Sequence, residues 1–337
     1  MNSAQLERLA REQFGLRPIA PIKEMSAGNV KRSAVVETDD GAVVLQEMNH
    51  TIFAEPAALM GNIEKIIERM LEHNMPALSF LRTVDGAWLA SLDDAPWRCY
   101  RYVDGAATPR IETPEDAQST ARAFGRFARA IDGLDLAEHL SGYHDFDQRV
   151  TDMELVIAAD ELERAADCAG TIQDLMGTVD RLRLSSSYDA LRRVPVRNAH
   201  NDAKGPNCII GPTGARTIID LDTTMPGTVL SDIGEMVRSS TRSLSSASPA
   251  EYMTQIESVN RGFLAGYGVD LSVDEREAML LAGPLMAVEN AARFLTDHLS
   301  GDKYYGASSP NQNMERAIAQ LQLGKQLIAA IEWATTG

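Results

Sequence analysis

The chain has 337 residues, of which 32 are basic and 48 acidic, so its formal net charge is −16. A strongly acidic chain lacks the basic surface that nucleic acid requires and the cationic coat that binds anionic lipid. Hydrophobic residues make up 44% of the chain, enough to bury a large core, which excludes a mainly disordered protein. We therefore expect a globular protein with no nucleic-acid partner and no membrane partner.

The cysteines indicate the redox environment. Cys99, Cys168 and Cys208 are widely spaced and form no CxxC pair, which favours a reducing compartment over a disulfide-stabilised protein. We find no signal-peptide pattern and no apolar run long enough to cross a bilayer. These features predict a cytoplasmic protein, either a monomer or a homodimer.

The first hundred residues predict a small sheet that carries one long helix. The amino-terminal residues predict an amphipathic helix, with Leu6, Leu9, Ala10 and Phe14 on one side. The turn Asp39-Asp40-Gly41 predicts a hairpin between its flanking β-rich runs. The further elements expected here are strands Ser33–Thr38, Ala42–Gln46, Ala87–Leu92 and Trp97–Val103, and a helix Glu55–His73.

The pattern after residue 113 is mainly helical. The change near Asp104-Gly105 predicts two lobes, residues 1–103 and residues 104–337. The Ser-rich stretch Ser239–Pro249 predicts a mobile loop or a segment that closes over a ligand. The expected helices are 113–132, 146–167, 171–185, 250–267, 273–299 and 310–334.

One segment, residues 198–222, interrupts the helical pattern. Two β runs, 207–211 and 216–221, flank turn residues and predict a hairpin. If Gly211 faces Arg216, Asn207 faces Asp220, with Cβ atoms about 4.5–5.5 Å apart. An amide oxygen and a carboxylate at that separation predict a Mg²⁺ site that substrate phosphates complete.

Residues near this hairpin add a pattern typical of phosphoryl transfer. His200, Asp202 and Asn207 have the spacing of a kinase catalytic loop, followed by Asp220. Asp202 can accept a hydroxyl proton, and Lys204 can reach the transferring phosphoryl group. Taken singly, His200 fits a packed loop histidine and Lys204 a surface cation. Asp222 fits either a turn-stabilising residue or a second metal ligand. His139 and His144 lack a third ligand that would make a zinc site.

Several stretches resemble the aminoglycoside phosphotransferase and choline kinase superfamily. They are His200-Asn201-Asp202, Asn207, Ile219-Asp220-Leu221-Asp222-Thr223 and Ser231-Asp232-Ile233-Gly234-Glu235. Tyr100-Arg101-Tyr102-Val103-Asp104-Gly105 and the end stretch 293–305 extend the resemblance over most of the chain. Within the superfamily, these residues look most like N-acetylhexosamine 1-kinases, which phosphorylate an anomeric hydroxyl.

The resemblance implies ATP and Mg²⁺ as cofactors and a role for each matching residue. Asp202 is expected to be the catalytic base that also contacts substrate, and Lys204 to assist it. Asn207 and Asp220, with Asp222 as a further candidate, are expected to hold Mg²⁺. His200 and Asp232 are expected to support the catalytic loop. Arg293 and Tyr304 match the spacing of two sugar-contacting residues, although a helix-surface ion pair and a half-buried aromatic explain them equally well.

The expected nucleotide contacts depart from the family pattern in two places. The hinge contacts fall on Arg101, Tyr102 and Val103, as the family has them. The glycine-rich loop is reduced to one glycine, which leaves Gly28, Asn29 and Lys31 as candidates. Gln46 stands where most family members carry a phosphate-binding lysine. The sugar 1-kinase branch resembles this sequence in having glutamine at that position. Lys23 and Arg32 are further candidates for the missing anchor.

The resemblance implies an α+β, two-lobed, protein-kinase-like fold with a small antiparallel sheet lobe that binds nucleotide and a mainly helical catalytic and substrate lobe. ATP is then expected in the cleft between the lobes. The expected activity is phosphorylation of a small-molecule hydroxyl, with the anomeric hydroxyl of a sugar or amino sugar as the preferred acceptor. Two alternatives stay open. One is an aminoglycoside, choline or other amino-alcohol phosphotransferase, and the other is a non-catalytic nucleotide-binding module.

Overall fold

The computed structural model describes residues 3–25, 32–50, 52–103, 108–109, 111–242, 244 and 247–336. The chain divides into two compact units. Unit 1 comprises Met1–Ala107, Leu134–Leu140 and Ile209–Asp222, and unit 2 comprises Thr108–Gly133, Ser141–Cys208 and Thr223–Gly337. Among the described residues, no helix combines the length and apolar character needed to cross a membrane.

Unit 1 is built on an antiparallel sheet with strand order β1-β2-β3-β6-β4, and β5 pairs with β6. An amino-terminal helix α1 (Ser3–Arg8), which continues as a wider turn Leu9–Gln13, and a longer helix α2 (Pro56–Glu72) complete it. The strands are β1 (Lys23–Met25), β2 (Ser33–Val36), β3 (Val43–Glu47), β4 (Phe80–Leu81), β5 (Ala90–Leu92) and β6 (Ala95–Arg101).

The two faces of this sheet have different roles because side chains alternate along a strand. One face packs on the amino-terminal helix through a buried cluster that includes Leu6, Leu45, Trp97 and Cys99. Gln46 and Arg98 lie directly opposite each other on β3 and β6. Because their neighbours Leu45 and Trp97 point into that cluster, both side chains project from the other face.

Most of the unit 1 elements predicted from the sequence are present. The hairpin at residues 39–41 joins β2 to β3, with Val36 opposite Val43, and Gly41 has a φ of 99°. The short strands β1 and β4 were not predicted, because two or three residues carry too little periodicity to detect. Leu134–Leu140 belongs to unit 1 through paired hydrogen bonds between Asn62 and the backbone of Ala137.

The hairpin of residues 208–218 differs from the prediction. Its strands are only β8 (Cys208–Ile210) and β9 (Arg216–Ile218), and Asn207 lies before them in a 3-10 turn. The Gly211 amide donates to the Ala215 carbonyl, and Gly214 has a φ of 79°. This bulged turn shifts the register by one residue. The predicted pairing of Gly211 with Arg216 is therefore wrong, and so is the strand register from which the opposition of Asn207 and Asp220 was derived.

Unit 2 is mainly helical. It also holds a two-stranded antiparallel ladder of β7 (Arg197–Ala199) and β10 (Met225–Gly227), in which Asn198 lies opposite Pro226. Its helices are α3 (Pro114–Ile131), α4 (Phe146–Ala159), α5 (Ala169–Arg183), α6 (Ser186–Leu191), α7 (Val229–Thr241), α8 (Pro249–Tyr267), α9 (Val273–Ala278), α10 (Ala282–Leu299) and α11 (Gln312–Thr336).

The helices differ from the predicted ones in three places, and two of these differences have local causes. The helix predicted over 146–167 ends at Ala159, because Asp160 is left-handed with a φ of 38° and its carboxylate binds the amides of Arg164 and Ala165. The helix predicted over 273–299 breaks at Met279–Leu281, just before Pro284, which cannot donate to a preceding carbonyl. Helix α7 is not among the predicted helices, and nearly all of its residues are buried, including the polar residues Asp232 and Glu235.

Helices α3 and α8 cross at backbone contact. A Cβ atom on Gly262 would lie 2.1 Å from the Gln118 carbonyl oxygen, and one on Gly266 would lie 2.1 Å from the Arg122 carbonyl oxygen. No side chain fits at these distances. The spacing Gly262-x-x-x-Gly266 therefore sets how closely the two helices pack.

We expect Gly262→Ala to lower the free energy of unfolding by about 3 kcal/mol, because the added methyl forces the helices apart. Gly177→Ala is the matched control, since a Cβ at Gly177 meets nothing within 4 Å. That change should raise stability by up to about 1 kcal/mol through helix propensity alone. Urea denaturation of both variants checks this. Equal stability of the two variants would contradict the close-packed crossing.

Candidate active site

The central loop of unit 2 leaves β7 at His200 and is fixed by its own backbone geometry. Asn201 has a φ of 61°, a left-handed conformation that asparagine tolerates better than most residues. Its side-chain amide donates to the carbonyls of Thr223, at 3.0 Å, and Ala199, at 3.2 Å. The Thr223 hydroxyl in turn donates to the His200 carbonyl at 2.8 Å. The loop is therefore tied to the chain that enters β10.

Asp232, in the first turn of α7, binds the backbone of the same loop. Its two carboxylate oxygens accept hydrogen bonds from the backbone amides of His200, at 3.0 Å, and Asn201, at 2.8 Å. Burial raises the pKa of Asp232, while the two amides and His200 oppose that rise. The start of a helix also favours a negative charge. This fully buried carboxylate thus fixes two consecutive peptide units.

His200 is packed rather than exposed. Its ring lies edge-on to Phe124 and Phe127, with centroids 5.4 and 5.6 Å away, and the residue has no accessible surface. Its Nδ1 accepts a hydrogen bond from the Asp202 amide at 3.2 Å. His200 therefore orients the backbone that carries Asp202.

Asp202, Lys204 and Asn207 come together at the end of the loop. The Lys204 ammonium lies 2.8 Å from Asp202 Oδ1 and 2.7 Å from Oδ2. Asn207 Nδ2 donates to the Asp202 carbonyl at 2.8 Å and to Oδ2 at 2.7 Å. The side chain of Asp202 is 22% exposed and that of Lys204 33% exposed, so both reach solvent. The group combines a reachable carboxylate with a cation that partly offsets its charge.

His144 was not predicted to act at this loop. Its Nε2 lies 2.7 Å from the Asn201 carbonyl oxygen, and its Nδ1 lies 2.9 Å from Oε1 of Glu289 on α10. Because both ring nitrogens face acceptors, the ring fits best as an imidazolium that donates to both. Burial lowers the pKa of His144, but the charge of Glu289 and the hydrogen bond to it raise that pKa overall, against a smaller lowering by Arg293.

This geometry predicts a pH-dependent contribution to stability. A histidine whose pKa is raised in the folded state stabilises fully below its unfolded pKa of about 6.5 and loses that contribution as pH rises through its folded pKa. We expect His144→Gln to cost most in free energy of unfolding below about pH 6.5 and progressively less as the pH rises above it. Urea denaturation below and above that pH checks it, with exposed His73→Gln as the control. A cost independent of pH would contradict a charged His144.

Arg293, predicted to contact substrate, is buried on α10. Its guanidinium lies 3.6 Å from Glu289 and over the Tyr143 ring at 4.8 Å from the centroid. Burial lowers the pKa of Arg293, but the nearby Tyr305, Tyr143 and Glu289 raise it overall. The guanidinium is therefore a permanent charge in an aromatic surrounding.

Tyr304 lies on the loop that follows α10, and its side chain is exposed. Its backbone amide donates to Asp297 Oδ1 at 2.7 Å, and the amide of Tyr305 donates to Oδ2 at 2.9 Å. Asn313 donates to the same buried carboxylate at 3.0 Å. The sequence did not single out Asp297, because a single aspartate within a helix shows no spacing that marks it as a loop-binding residue.

Two metal-ligand candidates, Asp220 and Asp222, lie in unit 1. Asp220 follows β9 with a φ of 60°, which is rare for a residue other than glycine. The buried carboxylate of Asp222 forms a two-point ion pair with Arg98, with Nη1–Oδ1 at 2.6 Å and Nη2–Oδ2 at 3.1 Å. The predicted metal contact of Asp222 therefore competes with a strong resident cation. The sequence did not single out Arg98, because nothing in the strand pattern of β6 indicates its distant partner Asp222.

The remaining candidates fall in or near β3 and β6. Gln46 accepts two hydrogen bonds from Arg98 and donates to the Ser33 hydroxyl at 3.2 Å. Arg101 ends β6 and donates to the Asp40 carbonyl, and the Tyr102 amide donates to the Ala42 carbonyl at 3.0 Å. Val103 is half-buried just beyond them. Gly28, Asn29 and Lys31, and the predicted lobe boundary Asp104-Gly105, lie outside the described residues.

Solved structures with the same fold include several kinases. An aminoglycoside phosphotransferase from Alicyclobacillus acidocaldarius is 14% identical, with a TM-score of 0.65 over 96% of this chain and 94% of that chain. A spectinomycin phosphotransferase in complex with ADP and spectinomycin is 13% identical, with a TM-score of 0.64 over 98% and 99% of the two chains. A choline kinase from Streptococcus pneumoniae is 12% identical, with a TM-score of 0.57 over 96% and 98%.

At these identities the similarity concerns the fold, and it confirms the predicted protein-kinase-like α+β class. The particular likeness to sugar 1-kinases stays a prediction. A model of the phosphotransferase enzyme family matches residues 21–280, which is more than half of the sequence. This match confirms the superfamily resemblance, and the chain belongs to the phosphotransferase enzyme family.

Proposed function

We propose that this protein transfers the γ-phosphoryl group of ATP to a hydroxyl of a small molecule, in a Mg²⁺-dependent reaction. The carrying observation is the Asp202 carboxylate, which reaches solvent while Lys204 and Asn207 hold it at hydrogen-bond distance. Its backbone is fixed through Asp232 and His144. The spectinomycin phosphotransferase with this fold was solved with ADP, which supports the choice of nucleotide.

Asp202 acts on the acceptor. Its carboxylate orients the hydroxyl and takes its proton as the hydroxyl oxygen bonds to the γ-phosphorus. The bond from that phosphorus to the β,γ-bridging oxygen breaks, and ADP leaves with that oxygen. Lys204 offsets charge on the transferred group, so positioning and electrostatics supply most of the acceleration.

The proposed Mg²⁺ ligands are Asn207 and Asp220, and their pairing rests on the family resemblance. Asn207 suits the role because its Nδ2 donates to Asp202, which leaves the amide oxygen Oδ1 as the atom that would bind a metal. Amide and carboxylate oxygens are ligands that Mg²⁺ accepts. When bound, Mg²⁺ neutralises charge on the phosphate oxygens of the nucleotide. The proposed nucleotide contacts at Arg101, Tyr102 and Val103 rest on the same resemblance.

Two buried groups of unit 2, Arg238 and Tyr143, interact electrostatically with Asp202. Burial lowers the pKa of Arg238, but the nearby Glu235 and Asp202 raise it overall. Burial raises the pKa of Tyr143, and the charge of Asp202 raises it further. Arg238 is buried and its Nε donates to Glu235 at 2.7 Å, so it presents no net positive charge to an acceptor. Arg293, which the family resemblance makes a substrate contact, is then the cation that disfavours a positively charged acceptor.

We therefore propose the anomeric hydroxyl of a sugar or an N-acylated amino sugar as the acceptor, with Arg293 and Tyr304 as its contacts. The Arg293 guanidinium lies over the Tyr143 ring and offers N–H donors to sugar hydroxyls. The exposed ring of Tyr304 can stack on a sugar ring. This arrangement favours the sugar over aminoglycosides and choline, which are cationic.

An acceptor panel scored by ADP release tests the proposal. The informative pair is an N-acetylhexosamine and the parent hexosamine, which differ by an acetyl group and a positive charge. Choline and an aminoglycoside extend the cationic arm. We expect turnover with the N-acetylated sugar, and phosphorus NMR should show a phosphate coupled to the anomeric proton.

The matched control is the methyl glycoside of the same sugar, in which the anomeric hydroxyl is blocked. Turnover of the blocked sugar would contradict anomeric phosphorylation, and a strict preference for cationic acceptors would contradict the sugar assignment. Nucleotide binding without turnover on any hydroxyl would support a non-catalytic binding module instead.

A further inference from the structure

The buried side chains Arg98 and Asp222 form a network within unit 1 with half-buried Gln46. Arg98 Nε and Nη2 donate to Gln46 Oε1 at 3.0 and 2.5 Å, and Nη1 and Nη2 donate to the two oxygens of Asp222 at 2.6 and 3.1 Å. These hydrogen bonds use most of the donors of a guanidinium. The side chains of Arg98 and Asp222 are 4% and 2% exposed, so water does not weaken the pair.

The network explains why position 46 is an amide. Gln46 lies directly opposite Arg98 across the β3–β6 ladder. A lysine at position 46 would bring an ammonium against the guanidinium of buried Arg98. The Gln46 carbonyl oxygen accepts from Arg98 instead, and its amide group donates to Ser33. The cation of this sheet face therefore stands on β6 rather than on β3.

Asp222 is held by a second partner at its backbone. His139 Nε2 lies 2.6 Å from the Asp222 carbonyl oxygen. The carboxylate and the carbonyl of Asp222 are thus bound by two different elements of unit 1. Asp220, two residues earlier, keeps a strained left-handed φ of 60°. Such a conformation persists only where the surrounding structure fixes it, and the anchored Asp222 lies two residues away.

We propose that Arg98 is a positioning residue that, through Asp222, holds Asp220 in the conformation in which it binds the metal. The inference rests on the proposed function, since it takes Asp220 as a Mg²⁺ ligand. Asp222 is then an anchor and not a ligand itself. Removing an interaction that orients a metal ligand typically weakens metal affinity about 10- to 100-fold.

The test measures Mn²⁺ affinity of the ADP complex by titration, which requires no turnover. The variants are Arg98→Met and Arg98→Lys, and Arg82→Met is the matched control. Arg82 also belongs to unit 1, pairs with Glu64 at 2.7 Å and stacks on Trp88. We expect both Arg98 variants to bind Mn²⁺ at least about tenfold more weakly, and the control to bind as the wild type does.

The sign of the change separates the two roles of Asp222. If Asp222 were a ligand, loss of Arg98 would free its carboxylate and strengthen Mn²⁺ binding. Unchanged or stronger binding by the Arg98 variants therefore overturns the proposal. Absence of Mn²⁺ binding and turnover in the wild type would instead remove the proposed function.

Arg98→Met leaves a buried carboxylate without its partner and can fail to fold. The double change Arg98→Met with Asp222→Leu removes both charges, and an apolar replacement of a buried pair is often neutral for stability. We expect this variant to melt close to the wild type but to bind Mn²⁺ weakly. Wild-type Mn²⁺ affinity in this double variant would overturn the proposal.

Discussion

Replacing Asp202 with Asn is expected to lower kcat by about 10²- to 10⁴-fold, because the amide cannot accept the hydroxyl proton. The shape of the side chain and its contacts to Lys204 and Asn207 are largely retained, so the fold should persist. Nucleotide affinity should change little, since Asp202 is proposed to act on the acceptor. ADP release and equilibrium titration with a nucleotide measure the two quantities separately.

The matched control for this change is Asp174→Asn. Asp174 on α5 also receives both contacts of one lysine, with Lys325 Nζ at 2.8 Å from each carboxylate oxygen. Asp174→Asn should leave kcat unchanged. The exposed Asp174–Lys325 pair is remote in sequence from the catalytic loop and makes none of the contacts that hold Asp202. A fully active Asp202→Asn enzyme would refute the assignment of the base.

Asn207→Asp is expected to lower kcat by about 10²-fold, the typical cost of displacing a catalytic group by roughly 1 Å. Asn207 Nδ2 donates to the Asp202 carbonyl and carboxylate at 2.8 and 2.7 Å. An aspartate places an oxygen where that donor stands, facing a second carboxylate. The two like charges either move apart or share a proton. Both outcomes remove the base from its position.

The exchange variant, Asp202→Asn with Asn207→Asp, separates repulsion from catalysis. It restores one amide and one carboxylate at hydrogen-bond distance, so thermal stability should return to near the wild-type value. Activity should stay low, because the carboxylate is then at the wrong position. Wild-type kcat in Asn207→Asp alone would contradict the proposed role of this contact.

The sequence by itself identified the chemistry-bearing loop. The spacing of Asp202, Asn207 and Asp220, together with the flanking motifs, indicated the family that the comparisons confirm. Local patterns also predicted the β2–β3 hairpin and the long helix α2, because turn residues and apolar periodicity act over only a few positions. Such signals depend only on residues that are close in sequence, so they can be recognised without knowledge of the fold.

Contacts between distant residues were decided only by the tertiary structure. His144 and Asn201 are 57 positions apart, and Arg98 and Asp222 are 124 apart, yet each pair is in hydrogen-bond contact. The bulge at Gly214 was also not predicted. It pairs Gly211 with Ala215, one residue away from the Arg216 expected from the sequence. The sequence around His144 or Arg98 does not indicate which residue each one pairs with, because charge pairing depends on which elements the folded chain brings together. The sequence therefore determined which residues can do the chemistry, and the fold decided which residues hold them in place.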